Sequence, residues 1–371
     1  MQITRTIFKH QRLLITSGII GLVILLTGAG IQSLLSTVTQ HNGTTLSART
    51  TLASTTSLAF TSIHTNETVF TPLTQEMTMA TQPQKASPLL WGTNLSLQDA
   101  NDQVLTSDTT RSLLQQMHLH IIRIPTRSSM ADSTLQHAAQ IVHDLGATPL
   151  VILQGDLSGT NALNNDLRII KIMNNLYGNS TVYYEYGNEE DFFLKASADK
   201  YTASWNRMVP QLKKAAPNGN FIGPVNYQFN PDYLQYFLQH AQPQPNEVSW
   251  HEYTCGSNWP NDVCLSHLDN WTVHIAKARS VMQAAIHTTL PIMITEWNYT
   301  ANPTANDGKS NDPGFMTTWT TKALQTLAAN NIFASMQYSC TNYAIPLVDS
   351  HNTMTTQGTI FRDQYHNIVG N

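Results

Sequence analysis

The stretch Val182-Tyr183-Tyr184-Glu185-Tyr186-Gly187-Asn188-Glu189-Glu190-Asp191 decides how the rest of the chain is read. It begins as a β-branched and aromatic strand and ends in a turn that carries Asn188 and Glu189. A strand that stops at a glycine and then presents a carboxylate holds that acid at the rim of a parallel sheet. Leu290-Pro291-Ile292-Met293-Ile294-Thr295-Glu296-Trp297-Asn298-Tyr299 has the same design, an apolar run ending on the carboxylate of Glu296. The rest of the chain must then supply one sheet that brings the two acids together.

Working outward, six further strands are expected at Leu89–Asn94, His120–Pro125, Thr148–Gly155, Asn220–Asn226, Val248–Thr254 and Ile332–Tyr338. Helical spacing covers Ser107–Met117, Asp132–Leu145, Asn165–Tyr177, Ser197–Ala216, Pro231–His240, Leu265–His287 and Pro313–Asn330, and a tail with Pro346 and Gly358 closes the chain. Eight strands alternating with helices predict an α/β fold, a (β/α)8 TIM barrel over residues 87–371. A doubly wound open sheet is the alternative. It would usually carry a glycine-rich phosphate turn after its first strand, and Trp91-Gly92-Thr93-Asn94 is not one.

The composition excludes some functions. Of 371 residues, 41% are hydrophobic and 12% charged, and the net charge is −4, so there is no basic field for nucleic acid. Arg5, Lys9 and Arg12 precede an apolar run over residues 13–31, long enough to span a bilayer. The positive flank puts residues 1–12 in the cytoplasm and everything downstream outside. A cleaved signal segment is the rival reading, but the small-residue cleavage site is poor and an uncleaved membrane anchor is favoured. Residues 32–86 read as a disordered Ser/Thr-rich linker. Cys255 and Cys264 could close a short disulfide loop outside the cell, with Cys340 a buried thiol or the alternative partner.

In a barrel the chemistry sits at the carboxyl ends of the strands, and Asn94, Arg123, Gln154, Asn188, Glu189, His251, Tyr253, Glu296 and Gln337 fall at or near such ends. Each has a plainer reading. Glu189 could join Glu190 and Asp191 in complementing a helix dipole, and Glu296 could be a structural partner of Arg123. Yet burying an acid after an apolar run costs several kcal/mol unless it is paired and used. Trp91, Trp250, Trp259, Trp297 and Tyr338 are either stacking surfaces for sugar rings or core packing, with Trp259, in a polar loop, the best-placed of them. Asn94, Gln154 and Asn226 are candidate hydroxyl binders. His118, His137 and His143 look like helix-surface residues, and no metal or cofactor is implied.

These motifs resemble the retaining glycoside hydrolases of clan A, in which an Asn-Glu pair closes strand four and a Glu closes strand seven. Here the matches are Gly187-Asn188-Glu189 and Ile294-Thr295-Glu296-Trp297-Asn298. The strand-four wording is similar to the arabinofuranosidase, heparanase-like and xylosidase branches, and Thr295-Glu296-Trp297-Asn298 is most similar to the first. His251-Glu252-Tyr253 resembles their His-x-Tyr ending of strand six, and Arg123 their strand-two arginine. The resemblance implies Glu296 as nucleophile and Glu189 as acid/base, with Arg123 and Tyr253 aiming Glu296. Asn188 would bind a sugar 2-hydroxyl and His251 would orient Glu189 or a hydroxyl. Many relatives place a tryptophan at the end of strand eight, where this chain has Gln337 and Tyr338, and several append a β-sandwich for which no residues remain.

The expectation is a membrane-tethered or secreted retaining glycosidase acting on extracellular poly- or oligosaccharide, with a monomeric catalytic domain. A catalytically inactive barrel that binds cell-wall glycan is the alternative, and the presence of both acids argues against it. A metal-dependent hydrolase would need clustered His and Asp at the strand ends, where only His251 is well placed.

Overall fold

The computed structural model describes residues 85–256, 258–301, 307–343 and 345–370. The expected cytoplasmic segment, the span over residues 13–31 and nearly all of the linker lie outside them. Among the described residues no helix is long and apolar enough to cross a membrane.

Eight parallel strands close into a barrel in chain order. They are β1 (Gly92–Asn94), β2 (Ile121–Ile124), β3 (Thr148–Leu153), β4 (Val182–Tyr186), β5 (Gly219–Asn226), β6 (Glu247–Tyr253), β7 (Ile292–Asn298) and β8 (Ala334–Gln337). Thr93 of β1 pairs with Gln337 of β8 and shuts the cylinder. The main outer helices are α1 (Asp108–Gln116), α2 (Asp132–Asp144), α3 (Ala162–Tyr177), α4 (Ala198–Ala215), α5 (Pro231–His240), α6 (Asp269–Ile286), α7 (Pro313–Ala329) and α8 (Thr356–Ile368).

Strands buried on both faces need continuous apolar runs, and β2, β4 and β7 are buried at every residue. Inside the barrel, Ile121, Leu150, Tyr183, Ile222, Met293 and Met336, from six different strands, form one apolar floor. Outside it a larger core joins the strands to helix faces such as Leu135, Ala138, Ala139 and Val142 of α2, which recur at helical spacing. Helix starts are chemically marked: Asn230 Oδ1 accepts from the Tyr233 amide at 3.1 Å, and Asp312 Oδ1 from those of Gly314 and Phe315.

Three elements differ from expectation. The first strand is shorter, because Leu89 and Leu90 belong to a 3₁₀ turn, Pro88–Leu90, opened by Ser87. The expected helix Leu265–His287 is two helices, Asn261–Ser266 and α6. The tail, to which no element was assigned, carries α8. Gly358 in its first turn hides the helix in the sequence, but an added Cβ there would lie 2.3 Å from the Leu347 carbonyl oxygen, so close approach demands the glycine. Trp91 Nε1 donates to the Phe361 carbonyl at 2.8 Å and seats α8 on the barrel. Cys255 and Cys264 form a disulfide, and Cys340 is a buried thiol pushed up to about 12 by desolvation.

Candidate active site

Glu296 reaches the barrel mouth only because β7 is irregular. Met293 points into the interior, so strict alternation would turn Thr295 and Trp297 inward and Glu296 outward. The pairing with β6 goes from Trp250–Ile294 to His251–Glu296, which leaves Thr295 as one extra residue on β7. Such a bulge re-aims the side chains that follow it. Glu296 therefore faces the mouth. Trp297 faces the outer core, fully buried, with its ring 5.8 Å from Phe361 and 5.9 Å from Trp319.

On β4 the acid is delivered by a turn. Gly187 has φ 82° and Glu189 φ 52°, so the chain doubles back in the left-handed region directly after the strand. For a residue with a side chain this costs on the order of 1–3 kcal/mol, and such strain persists where the surroundings hold it. Here the Glu189 amide donates to the Val225 carbonyl at 3.0 Å and ties the turn to β5.

Arg123 of β2 is the hub beneath both acids. Its Nη1 lies 2.5 Å from Glu296 Oε1 and 3.0 Å from Asn94 Oδ1, its Nη2 2.6 Å from Asn188 Oδ1, and its Nε 2.5 Å from Glu185 Oε2. The Tyr253 hydroxyl donates to Glu296 Oε2 at 2.6 Å, and His251 Nδ1 lies 2.6 Å from Glu189 Oε1. A carboxylate oxygen of Glu189 and one of Glu296 lie within 4.8 Å of each other.

These neighbours split the two acids. Burial pushes Glu189 up, with the charge of Glu296 adding to it against the pull of His251. Burial also acts on Glu296, but His251, Arg123 and the hydroxyl of Tyr253 outweigh it and hold this carboxyl below the usual range. Burial would lower His251, yet the carboxylates of Glu296 and Glu189 raise it. The arrangement can keep one acid ionised while the other holds a proton. Glu189, His251 and Glu296 could also be counted as a metal-ligand set, but Arg123, already bonded to Glu296, supplies positive charge there.

The acids open into a cleft of about 370 Å³, walled by Phe192, Phe193 and Tyr227 on one side and by Tyr338 and Tyr343 on the other. Asn188, Glu189, Tyr253, Glu296 and Tyr338 all line it, and Arg123 and His251 lie beneath. Several expected binders do not reach it. Trp297 is behind the barrel wall, for the reason given. Asn94 is buried, its amide donating to the Thr295 and Gln337 carbonyls while its oxygen accepts from Arg123, so its polar atoms are already used. Trp259 is 42% exposed but stands edge-on to His267, away from the cleft lining. Trp91 and Trp250 are core residues, and Gln154 Nε2 is engaged by the Thr126 carbonyl at 2.7 Å.

The sequence reading missed Glu185, Tyr227, Phe192, Phe193 and Tyr343. Glu185 had a signal: it is the one charged residue inside β4, at the inward spacing set by Tyr183. Glu190 and Asp191 do stand in the first turn of the short helix Glu190–Phe193, but Glu190 is more than a surface charge. It is buried, and desolvation pushes it up to about 7. The neighbouring Asp191 Oδ1 accepts from the Tyr227 amide at 3.2 Å.

No protein-family model matches the chain, and no curated protein matches it. Solved structures do match. A GH51 arabinofuranosidase from Xanthomonas axonopodis pv. citri is similar at a TM-score of 0.60 and 12% identity, over 76% of this chain and 74% of that one. A monomeric β-xylosidase from Caulobacter crescentus CB15 gives 0.58 and 12%, over 75% and 68%. An α-L-arabinofuranosidase from Thermotoga maritima gives 0.58 and 14%, over 76% and 71%. At these identities the likeness establishes the fold. The chain has the (β/α)8 barrel of these glycoside hydrolases.

Proposed function

We propose that the chain is a retaining glycosidase of clan A type, cleaving O-glycosidic bonds of poly- or oligosaccharide by double displacement. The observation that carries this reading is the opposition of Glu189 and Glu296 across less than 4.8 Å, with the first shifted up and the second down. Retaining enzymes hold their two carboxyls about 5–5.5 Å apart, whereas inverting ones leave about 6.5–9.5 Å for a water.

In the first step a Glu296 oxygen bonds to the anomeric carbon as the glycosidic C–O bond breaks. Glu189 gives its proton to the departing oxygen. In the second, Glu189 takes a proton from water, the water oxygen bonds to the anomeric carbon, and the ester to Glu296 breaks. Arg123 and Tyr253 hold both Glu296 oxygens, so the nucleophile is aimed before substrate arrives. Asn188, its oxygen held by Arg123, has its Nδ2 for a sugar hydroxyl. His251 positions Glu189. The structural neighbours named above are arabinofuranosidases and a β-xylosidase, so arabinofuranosides and xylosides are the first substrates to try. The Cys255–Cys264 disulfide and the basic-then-apolar N-terminus support an exported, membrane-tethered enzyme.

A panel of chromogenic glycosides identifies the sugar, and the matching 2-deoxy-2-fluoro glycoside then traps the intermediate. We expect inactivation with the label on the peptide containing Glu296. A label elsewhere, or a first-formed product of inverted configuration, would overturn the proposal.

A further inference from the structure

The departing half of the substrate lies on the side of the acid, so what it meets is decided by the surface next to Glu189. That surface is the one-turn helix Glu190–Phe193. The Glu189 carbonyl accepts from the amides of Phe192 at 2.9 Å and Phe193 at 2.8 Å, so both rings ride on the turn that carries the acid. Phe192, Phe193 and Leu194 are 44%, 63% and 48% exposed, three consecutive apolar side chains of which the two phenylalanines line the cleft, while the other large exposed hydrophobics among the described residues stand singly.

The patch is built into the site. Phe192 stacks on Tyr227 with ring centres 4.5 Å apart, and Tyr227 on Tyr253 at 5.9 Å, both at 29°. Tyr253 in turn bonds Glu296, so a ladder of rings runs from the base of the cleft to its open edge. The Asp191 carboxylate fixes the middle rung through the Tyr227 amide, and Lys195 Nζ lies 4.6 Å over the Phe192 ring. Of the side chains of Phe192, Phe193 and Tyr227, which line this part of the cleft, only the Tyr227 hydroxyl can hydrogen-bond, and Lys195 Nζ stands over the outer ring. A second sugar could lay only its C–H face on these rings and would leave its hydroxyls to solvent, whereas an alkyl or aryl group gains over its whole surface by covering them.

We infer that Phe192, Phe193 and Tyr227 form a leaving-group subsite for an apolar aglycone, an alkyl or aryl group. The inference rests on the glycosidase reading and narrows it: the departing oxygen carries hydrocarbon and leaves, with the proton of Glu189, as an alcohol or phenol.

The test uses the full chain and the sugar found by the panel, presented as octyl glycoside, methyl glycoside, disaccharide and glycosyl fluoride. Octyl should exceed methyl in kcat/KM by about tenfold or more. In Phe193→Ser that ratio should fall towards one, and Phe193→Leu should restore most of it. A ratio within one preparation does not depend on the fraction folded. Equal octyl and methyl rates in the natural chain, or a disaccharide that outpaces octyl with a ratio untouched by Phe193→Ser, would overturn the subsite. The fluoride has no aglycone and separates the two ideas. If no fluoride is hydrolysed the glycosidase reading falls and the subsite with it; if fluoride turns over while octyl equals methyl, the subsite alone falls.

Discussion

Glu185 Oε2 lies 2.5 Å from Arg123 Nε at a position with no solvent exposure, so the guanidinium that holds Glu296 is itself held from below. Arg123 thus stands between two carboxylates, one facing the cleft and one sealed in the barrel. Losing Glu185 would leave Arg123 paired with Glu296 but strip its buried Nε of an acceptor, which costs free energy.

Glu185→Ala should therefore destabilise the barrel by about 1–3 kcal/mol, measured as a shift in the denaturant midpoint. Arg123→Lys is gentler on the fold but replaces a fork of donors with one point charge. It cannot serve Glu185, Asn188 and Glu296 together, so kcat/KM should drop about a hundredfold or more. If Glu185→Ala left the midpoint unchanged, Arg123 would not depend on it.

The division of labour between the acids has a separate signature. Glu189→Ala should slow glycosides with poor leaving groups by about 10²–10⁴-fold while sparing the first step for a dinitrophenyl glycoside, which needs no proton. Added azide should then release a glycosyl azide of retained configuration. With Glu296→Ala the azide product should be inverted, since azide occupies the place of the missing nucleophile. The opposite pairing of variant and product would exchange the two roles.

Much of this was legible in the sequence because the informative residues sit at strand ends, where apolar runs stop. Glu189, Glu296, Arg123, His251 and Tyr253 each follow or close such a run. What stayed hidden depends on geometry that periodicity does not carry. The Thr295 bulge shifts the inside–outside pattern of β7 by one residue, so a rim tryptophan in the sequence is a core tryptophan in the fold. The aromatic wall is assembled from a one-turn helix after β4 and a loop after β5, and Tyr227 meets Phe192 only because β4 and β5 are neighbours. Asn94 lies at a strand end as expected, but three short contacts beneath the cleft leave it nothing to offer a ligand.

The split between the acids predicts the pH profile. Activity needs Glu296 ionised and Glu189 protonated, so kcat/KM should be bell-shaped. Its acid limb lies below the ordinary glutamate value of 4.5 and its basic limb above it. Because the charge of Glu296 helps hold Glu189 up, Glu296→Gln should move the Glu189 titration downward. Carbon-13 NMR of labelled glutamate reads this directly, without turnover. An unchanged or raised Glu189 titration would mean that the charge of Glu296 does not hold it up.

Stability should follow pH through different acids. Desolvation pushes Glu247 and Glu190 up to about 7 from 4.5, and Asp166 up to about 6 from 3.8. A carboxyl whose folded pKa is raised stabilises the fold fully below its unfolded value and loses that contribution as pH rises through the folded one. The unfolding temperature should thus decline between pH 4.5 and pH 7. Glu296 works in the opposite sense, contributing above 4.5 and losing that contribution only at lower pH, so it does not mask the decline. Glu247 is the cleanest place to check, since it faces Asn220, Lys213 and Tyr183 away from the cleft. Its Oε2 is buried without a partner, and Glu247→Gln keeps an oxygen for Asn220 while removing the charge. That variant should match the natural chain near pH 4.5, exceed it near pH 7, and flatten the slope between. Parallel slopes in the two proteins would show that Glu247 ionises in the fold as easily as in the unfolded chain.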